Sequence, residues 1–382
     1  MWTMAAPTTA PRGPWIRSAS WDFTFILGSA VLAGFPIASY YLITALTGVP
    51  PQAFQEHPAL SIAMAINMAS AFLIGGPHLY ATFTMTIADR SFRASHRRLL
   101  CLAALIPPLV VSLAVLRVEL LMTLFFAWAS VHAVHQLVFI VEQYQMRADR
   151  PHGLPRWSKA IDYVLLMSCL YPVVLWRLLA TPGSTLELPG GVTVAQGFRI
   201  GAVDLSRELP AFVHGQVWIA WALFAVFAAT LLAFVLRTAW ELTTGTSVWP
   251  RTLLLAATVP LVSSIPLYDN LDVALQGLNL WHSTQYIGLV YLMNAYRKER
   301  GELTSPLLGW LAGFGNGFRY YGTVVGVSVA AGGLIGVLHY GCGLPMLHCY
   351  YGVHLSALWI HYLWDHAVFT RVGALAPVAA IT

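Results

Sequence analysis

Seven of the thirteen histidines in this 382-residue chain fall inside apolar runs long enough to cross a bilayer. The stretch "SVHAVHQLVFIVEQYQ", from Ser130, carries His132 and His135 three residues apart, with Gln136 beside the second. At about 100° per helical residue the two rings sit roughly 60° apart, so both can face one centre. In "LNLWHSTQYIGLVYLMNAYR", Asn279, His282 and either Gln285 or Tyr286 form one polar stripe. In "LWIHYLWDHAVF", His361 and Asp365 are an i,i+4 pair; His354, seven residues earlier, shares their face, and His366 points away from it. In "IGGPHLYATF", Gly75, Gly76 and Pro77 precede His78, a run that loosens a helix and lets a neighbour approach closely.

A charged side chain in a membrane helix costs about 2.5–3.5 kcal/mol on insertion scales, so such residues usually mark function. Imidazole with carboxylate, and no thiolate at the same level, suits iron, zinc, copper or manganese. The expected ligands are His132, His135, His282 and His361, followed by Asp365, His78 and His354. Gln136 is a fallback ligand or an orienting group, and Tyr286 is placed to hydrogen-bond a metal-bound species. That set exceeds the three or four ligands of a simple zinc site. It would fill one iron with a supporting shell, or a pair of metals. Competing readings stay open. A single membrane histidine is commonly an interhelical hydrogen bond, His354 can border the outer interface, and Asp365 can orient His361 without touching a metal.

All of these residues lie on even-numbered spans when about ten apolar runs are counted, centred near residues 35, 75, 108, 130, 170, 225, 259, 283, 330 and 361. Depth follows by counting to the next boundary charge. His78 is 11 residues before Asp89, His135 is 12 before Arg147, His282 is 15 before Arg297, and His361 is 10 before Arg371. At about 1.5 Å per residue these imidazoles share one layer, roughly 15–22 Å from the boundary.

Composition requires the membrane. The chain is 58% hydrophobic and 10% charged, against about 25% charged for soluble domains. The expected fold is an all-α polytopic bundle forming one transmembrane domain over residues 1–382. Its parts are an N-terminal cytoplasmic segment at 1–21, an external loop at 182–213 and an interfacial segment at 301–320. Lys and Arg cluster at 89–98, 147–159, Arg237 to Arg251 and 296–300, with Arg371 after the last run. Ten spans put all of these on the side of Arg12 and Arg17, which predicts an N-in, C-in protein of a bacterial-type inner membrane. The net charge of +5 is dispersed among these clusters, which excludes a nucleic-acid partner. Cys342 and Cys349 flank a short external loop, as a bridged pair or as two thiols.

This site design resembles that of integral-membrane non-haem iron enzymes, the fatty-acid desaturases and hydroxylases and the bacterial β-carotene dioxygenase family. It departs from the desaturases in having one H-x-x-H, "HAVH" at 132–135, and no double-His box. "WHSTQYIGLVYLMNAYR" and "HYLWDHAVFTR" also resemble patterns in His-rich bacterial polytopic membrane proteins. The resemblance implies one or two non-haem irons, O₂ and an electron donor acting on an apolar, lipid-like substrate by hydroxylation, desaturation or oxidative cleavage. The alternative is a zinc-dependent intramembrane amide or ester hydrolase, similar to the membrane ceramidase and progestin-receptor-like group. There an H-x-x-x-H pair stands where this chain has His361 and Asp365. Bis-His haem ligation for electron transfer, or a proton-coupled transporter, is the non-enzymatic alternative.

Overall fold

The computed structural model describes residues 13–48, 68–147, 155–200, 203–369 and 375. Arg12, His57, Arg150, His152 and Arg371 lie outside the described residues. The protein is 78% helical and nearly all-α. Seven helices are long and apolar enough to cross a membrane: α1 (Ala19–Thr47), α3 (Arg97–Leu116), α4 (Val118–Met146), α5 (Arg156–Leu179), α6 (Trp218–Thr243), α7 (Trp249–Leu267) and α9 (Gly317–Gly341). Three more complete the bundle. These are α2 (Gly76–Met85), entered through a π turn at Ala71–Gly75; α8 (Leu271–Glu299); and α10 (Ser356–Phe369), entered through Met346–Tyr350 and a π turn at Tyr351–Leu355.

α8 is the axis. It buries 20 of its 29 residues, whereas α6 buries four of 26 and turns its apolar surface outward. Asn270 caps its start, accepting from Val273 N at 3.2 Å. Asp272 in the first turn and Arg297 and Lys298 in the last complement the helix dipole. α1 lies against α8, and Gly277 permits the approach. A Cβ there would sit 2.3 Å from the Ala33 carbonyl oxygen.

α2 is held by a different device. Pro77 has no N–H, which removes the helical donor of the Leu73 carbonyl. Tyr321 of α9 donates its hydroxyl there instead, at 2.5 Å. The π turn diverts the Gly76 N–H to Ala71 O, and Ser328 Oγ donates to the freed Phe72 carbonyl at 3.1 Å. A Cβ on Gly76 would meet Ser328 Oγ at 2.0 Å, so only glycine fits under α9 at this point.

Between α5 and α6 the chain forms two antiparallel hairpins, β1 (Thr185–Leu188) with β2 (Val192–Ala195), and β3 (Arg199–Ile200) with β4 (Val203–Asp204). Buried Arg177 of α5 fastens this cap by donating to Gly197 O at 2.8 Å and to Pro266 O and Tyr268 O at 3.0 Å each. At the opposite end of the bundle, Arg297 pairs with Asp89 at 2.6 Å, tying α8 to the turn after α2. Arg237 and Arg251, expected as boundary charges, are buried and paired with Asp162 and Glu241. Cys342 and Cys349 are free thiols.

Candidate metal centre

Four helices deliver one imidazole each to a single point: His78 from α2, His132 from α4, His282 from α8 and His361 from α10. One ring nitrogen from each lies within 4.8 Å of all the others, and all four residues are buried. His361 Nε2 is 3.1 Å from His78 Nε2 and 3.2 Å from His132 Nε2. Two nitrogens bound at about 2.0–2.1 Å to one ion sit roughly 2.9–3.4 Å apart in octahedral-cis or tetrahedral geometry. The observed separations fall in that interval.

The hydrogen bonds at the far side of each ring decide what those nitrogens present. His78 Nδ1 is 2.6 Å from the Gly75 carbonyl, which only accepts, so Nδ1 carries the proton. Ser283 Oγ, 3.0 Å from the same nitrogen, accepts from it and passes its own proton to Asn279 Oδ1 at 3.0 Å. His78 Nε2 is therefore a bare lone pair. His361 Nδ1 is 2.5 Å from Thr82 Oγ1. Thr82 Oγ1 is in turn 2.5 Å from the Tyr286 hydroxyl, which donates to Asp365 Oδ1 at 2.5 Å. With Asp365 as a carboxylate, donation runs one way, from His361 Nδ1–H through Thr82 and Tyr286 to Asp365. That leaves His361 Nε2 bare as well. Two lone pairs 3.1 Å apart repel unless a cation or a proton stands between them.

Asp365 adds a third unanswered group. Its Oδ2 is buried without a hydrogen-bond partner, 3.5 Å from His361 Nε2 and 3.6 Å from His132 Nε2. No Lys or Arg among the described residues pairs with it. A buried carboxylate without a cation is strongly disfavoured. Bare imidazole nitrogens and a free carboxylate oxygen converging at one place form the donor set of a divalent transition-metal site. The Thr82 and Gly75 contacts are of the kind that fixes the tautomer and orientation of a histidine that could serve as a ligand.

The remaining expected residues take other places. His135 is half-buried, its ring 5.8 Å from that of His366 and 6.1 Å from Phe369. The 60° that separates it from His132, with one turn of rise, carries it past the centre to the inner part of α10. His354 lies on the π turn before α10, which shifts the helical phase. Its ring contacts Phe72 at 6.0 Å and Tyr350 at 5.1 Å, outside the four-His group. Gln136 is buried and clamps α4 to α8, donating to His282 O at 3.2 Å and Gln285 Oε1 at 3.3 Å. Gln285 continues the clamp to Ile26 O of α1 at 2.9 Å. Tyr286 touches Asp365 and Thr82 and is fully buried. Thr82 was not expected. The signal was its position four residues after His78, on the same helical face. Aromatic rings flank the group: between ring centroids, Tyr362 lies 4.4 Å from His132, and Tyr286 lies 4.9 Å from His361 and 5.3 Å from His78.

Compared with known proteins, the chain matches no family model, no curated protein and no solved structure.

Proposed function

We propose that this chain is a metal-dependent oxidoreductase embedded in the membrane, using O₂ to oxidise a C–H or C=C bond of an apolar, lipid-soluble molecule at one non-haem iron. The observation that carries the reading is the convergence of four buried imidazoles, with His361 Nε2 3.1 Å from His78 Nε2 and 3.2 Å from His132 Nε2, and of the partnerless Asp365 Oδ2 at one point. One ion accounts for the compactness of the group; two ions about 3.5–4 Å apart would spread the ligands wider. His361 Nε2, 3.1–3.2 Å from the Nε2 atoms of His78 and His132, leaves no slot for a porphyrin between itself and either of them, which argues against haem ligation by those pairs. Four imidazoles and a carboxylate exceed the three protein ligands of a catalytic zinc and favour iron.

Iron so bound supplies O₂ activation. The chain's own residues do the rest. Gly75 O and Thr82 Oγ1 hold protons on the Nδ1 atoms of His78 and His361 and keep their Nε2 atoms available. The Thr82, Tyr286 and Asp365 chain holds a proton at Tyr286 Oη, within reach of the reacting groups. Tyr362 and Tyr286 shield the group from water, and the apolar bundle admits O₂ and lipid-soluble substrates. Oxidative cleavage of a C=C bond places both atoms of O₂ in two carbonyl products and needs no reductant; hydroxylation or desaturation draws two electrons from a donor.

The seven apolar helices together with α2, α8 and α10 give ten crossings, an N-in, C-in arrangement and residence in a bacterial-type inner membrane. Elemental analysis and optical spectra of the purified protein, with O₂ uptake on candidate lipids, test the proposal. Iron without a Soret band and substrate-dependent O₂ uptake support it. Zinc with hydrolysis and no O₂ uptake replaces it with the intramembrane hydrolase, and a Soret band replaces it with an electron carrier.

A further inference from the structure

A cavity of about 240 Å³ lies between the start of α2, α8 and the segment leading into α10. Of the four clustered histidines it touches His78 alone, so it reaches the centre from one side. Two of its walls are π turns, Ala71–Gly75 and Tyr351–Leu355. π turns inside α-helices recur at functional sites because they break the helical register and open space beside it. Phe72, Leu79 and Leu358 make the apolar lining. Met68 and Tyr350 at the rim are 48% and 41% exposed, which places the mouth on the outer face of the bundle.

The polar lining is sparse: Gln276 and Asn279, the Tyr350 hydroxyl, and the imidazoles of His78 and His354. Gln276 and Asn279 lie one turn apart on α8, and no Lys, Arg, Asp or Glu lines the cavity. The bond from Asn279 Nδ2 to Gln276 Oε1 is long, 3.5 Å, so both amides keep capacity for a ligand. Asn279 Oδ1 is already committed to Ser283, which leads to His78. A pocket that encloses a whole ligand measures roughly 300–1,000 Å³. This one is smaller, and takes only the end of a molecule whose remainder lies outside it.

We propose that this cavity is the substrate port of the four-His centre, and that it takes the end of a neutral single-chain alcohol or carbonyl compound. The chain packs between Phe72, Leu79 and Leu358. The hydroxyl or carbonyl oxygen meets the Gln276 and Asn279 amides, which sets the carbons next to it against the rim of His78. No Lys or Arg lines the cavity to balance a carboxylate or phosphate, and His354 is the one lining imidazole outside the four-His group, so neutral head groups are favoured. This assignment rests on the oxidoreductase reading for its role as substrate port, but the binding itself does not require turnover.

The test is photolabelling of the protein in nanodiscs with a diazirine-bearing long-chain alcohol, with labelled residues mapped by mass spectrometry. A carboxylate and a hydrocarbon of equal length serve as comparisons. Label concentrated on Phe72, Leu79 and Leu358, competed by unlabelled alcohol, is the expected result. The carboxylate labels these residues at least about tenfold less. Gln276→Leu weakens competition by the alcohol about fivefold and leaves that by the hydrocarbon unchanged. Ala71→Trp fills the cavity and removes the label while metal content stays at the wild-type level; Leu358→Phe is the second filling variant should Ala71→Trp not fold. Label spread evenly over lipid-facing α6 and α9, or label on the cavity that survives both filling variants, overturns the port. Wild-type protein without metal defeats the oxidoreductase reading alone, and the labelling pattern still decides the cavity.

Discussion

Two of the polar groups buried among the described residues differ in how their charges are answered. Where α5, α6 and α7 meet, Asp162, Glu241, Arg237 and Arg251 form a closed ring. Arg237 Nη1 is 2.7 Å from Asp162 Oδ1, Arg251 Nη2 is 2.6 Å from Glu241 Oε2, and the cross pairs are 3.7 and 3.9 Å apart. Gln145 donates to Asp162 Oδ2 at 3.0 Å. Two cations face two anions, so the charges balance, although Arg237 Nη2 and Arg251 Nη1 have no hydrogen-bond partner. In the four-His centre a carboxylate oxygen has no partner and imidazole lone pairs face one another. In the first arrangement the charges cancel within the protein, and it registers three helices. In the second, no Lys or Arg among the described residues balances Asp365, and the four histidines could hold a metal. Burial of polar groups thus says little by itself; the state of the donor and acceptor atoms separates a clamp from a site.

Substitutions should split these two regions cleanly. The largest effect is expected from His361→Ala, which removes the nitrogen central to the group. Turnover should fall by more than about 100-fold, beyond the loss typical of an outer-shell partner, while thermal unfolding shows the helices intact. Asp162→Leu should do the reverse. Breaking a buried pair costs about 3–5 kcal/mol, read as a lower denaturation midpoint, with metal per folded chain unchanged. Replacing all four ionic residues with apolar ones of similar volume should restore stability or raise it by about 1–4 kcal/mol. No apolar replacement of the four histidines should restore activity.

Thr82→Val comes next and sharpens the comparison, because it keeps shape and removes only the hydroxyl between His361 Nδ1 and Tyr286. Metal affinity should drop about 10–100-fold, measured by competition with a chelator, with a smaller stability change than for Asp162→Leu. The smallest effect is expected at the edge of the site. Tyr321→Phe deprives the Leu73 carbonyl of its donor and should cost about 1 kcal/mol of stability, with turnover per bound metal unaltered.

Much of the centre was legible in the chain because helical periodicity and span direction act together. Counting from boundary charges on the expected even-numbered spans places His78, His135, His282 and His361 at one depth, and the cluster holds three of these with His132 in place of His135. The i,i+4 spacing of His361 and Asp365 places both on one face. His135 and His354 show where counting fails. A ring 60° and one turn away clears a target only a few ångströms wide, and the π turn at Tyr351–Leu355 breaks the phase on which the seven-residue spacing relies. The helices that score as apolar show the complementary effect. α2, α8 and α10, which carry three of the four histidines, are not among the seven: α2 and α10 are ten and 14 residues long, and the 29-residue α8 is polar where it faces the site. Thr82 and Ser283 act only through contacts with other helices, such as Thr82 to Tyr286 and Ser283 to His78, which no single-helix pattern displays.

The most direct measurement is the metal content of the purified chain beside that of a His78→Ala, His361→Ala double variant, with Arg237→Met as the control for general destabilisation. The account predicts about one transition-metal ion per wild-type chain, a near-complete loss in the double variant, and wild-type content in folded Arg237→Met. Wild-type protein free of metal, or a double variant that keeps its full complement, would contradict the claim that these imidazoles are a metal's ligands.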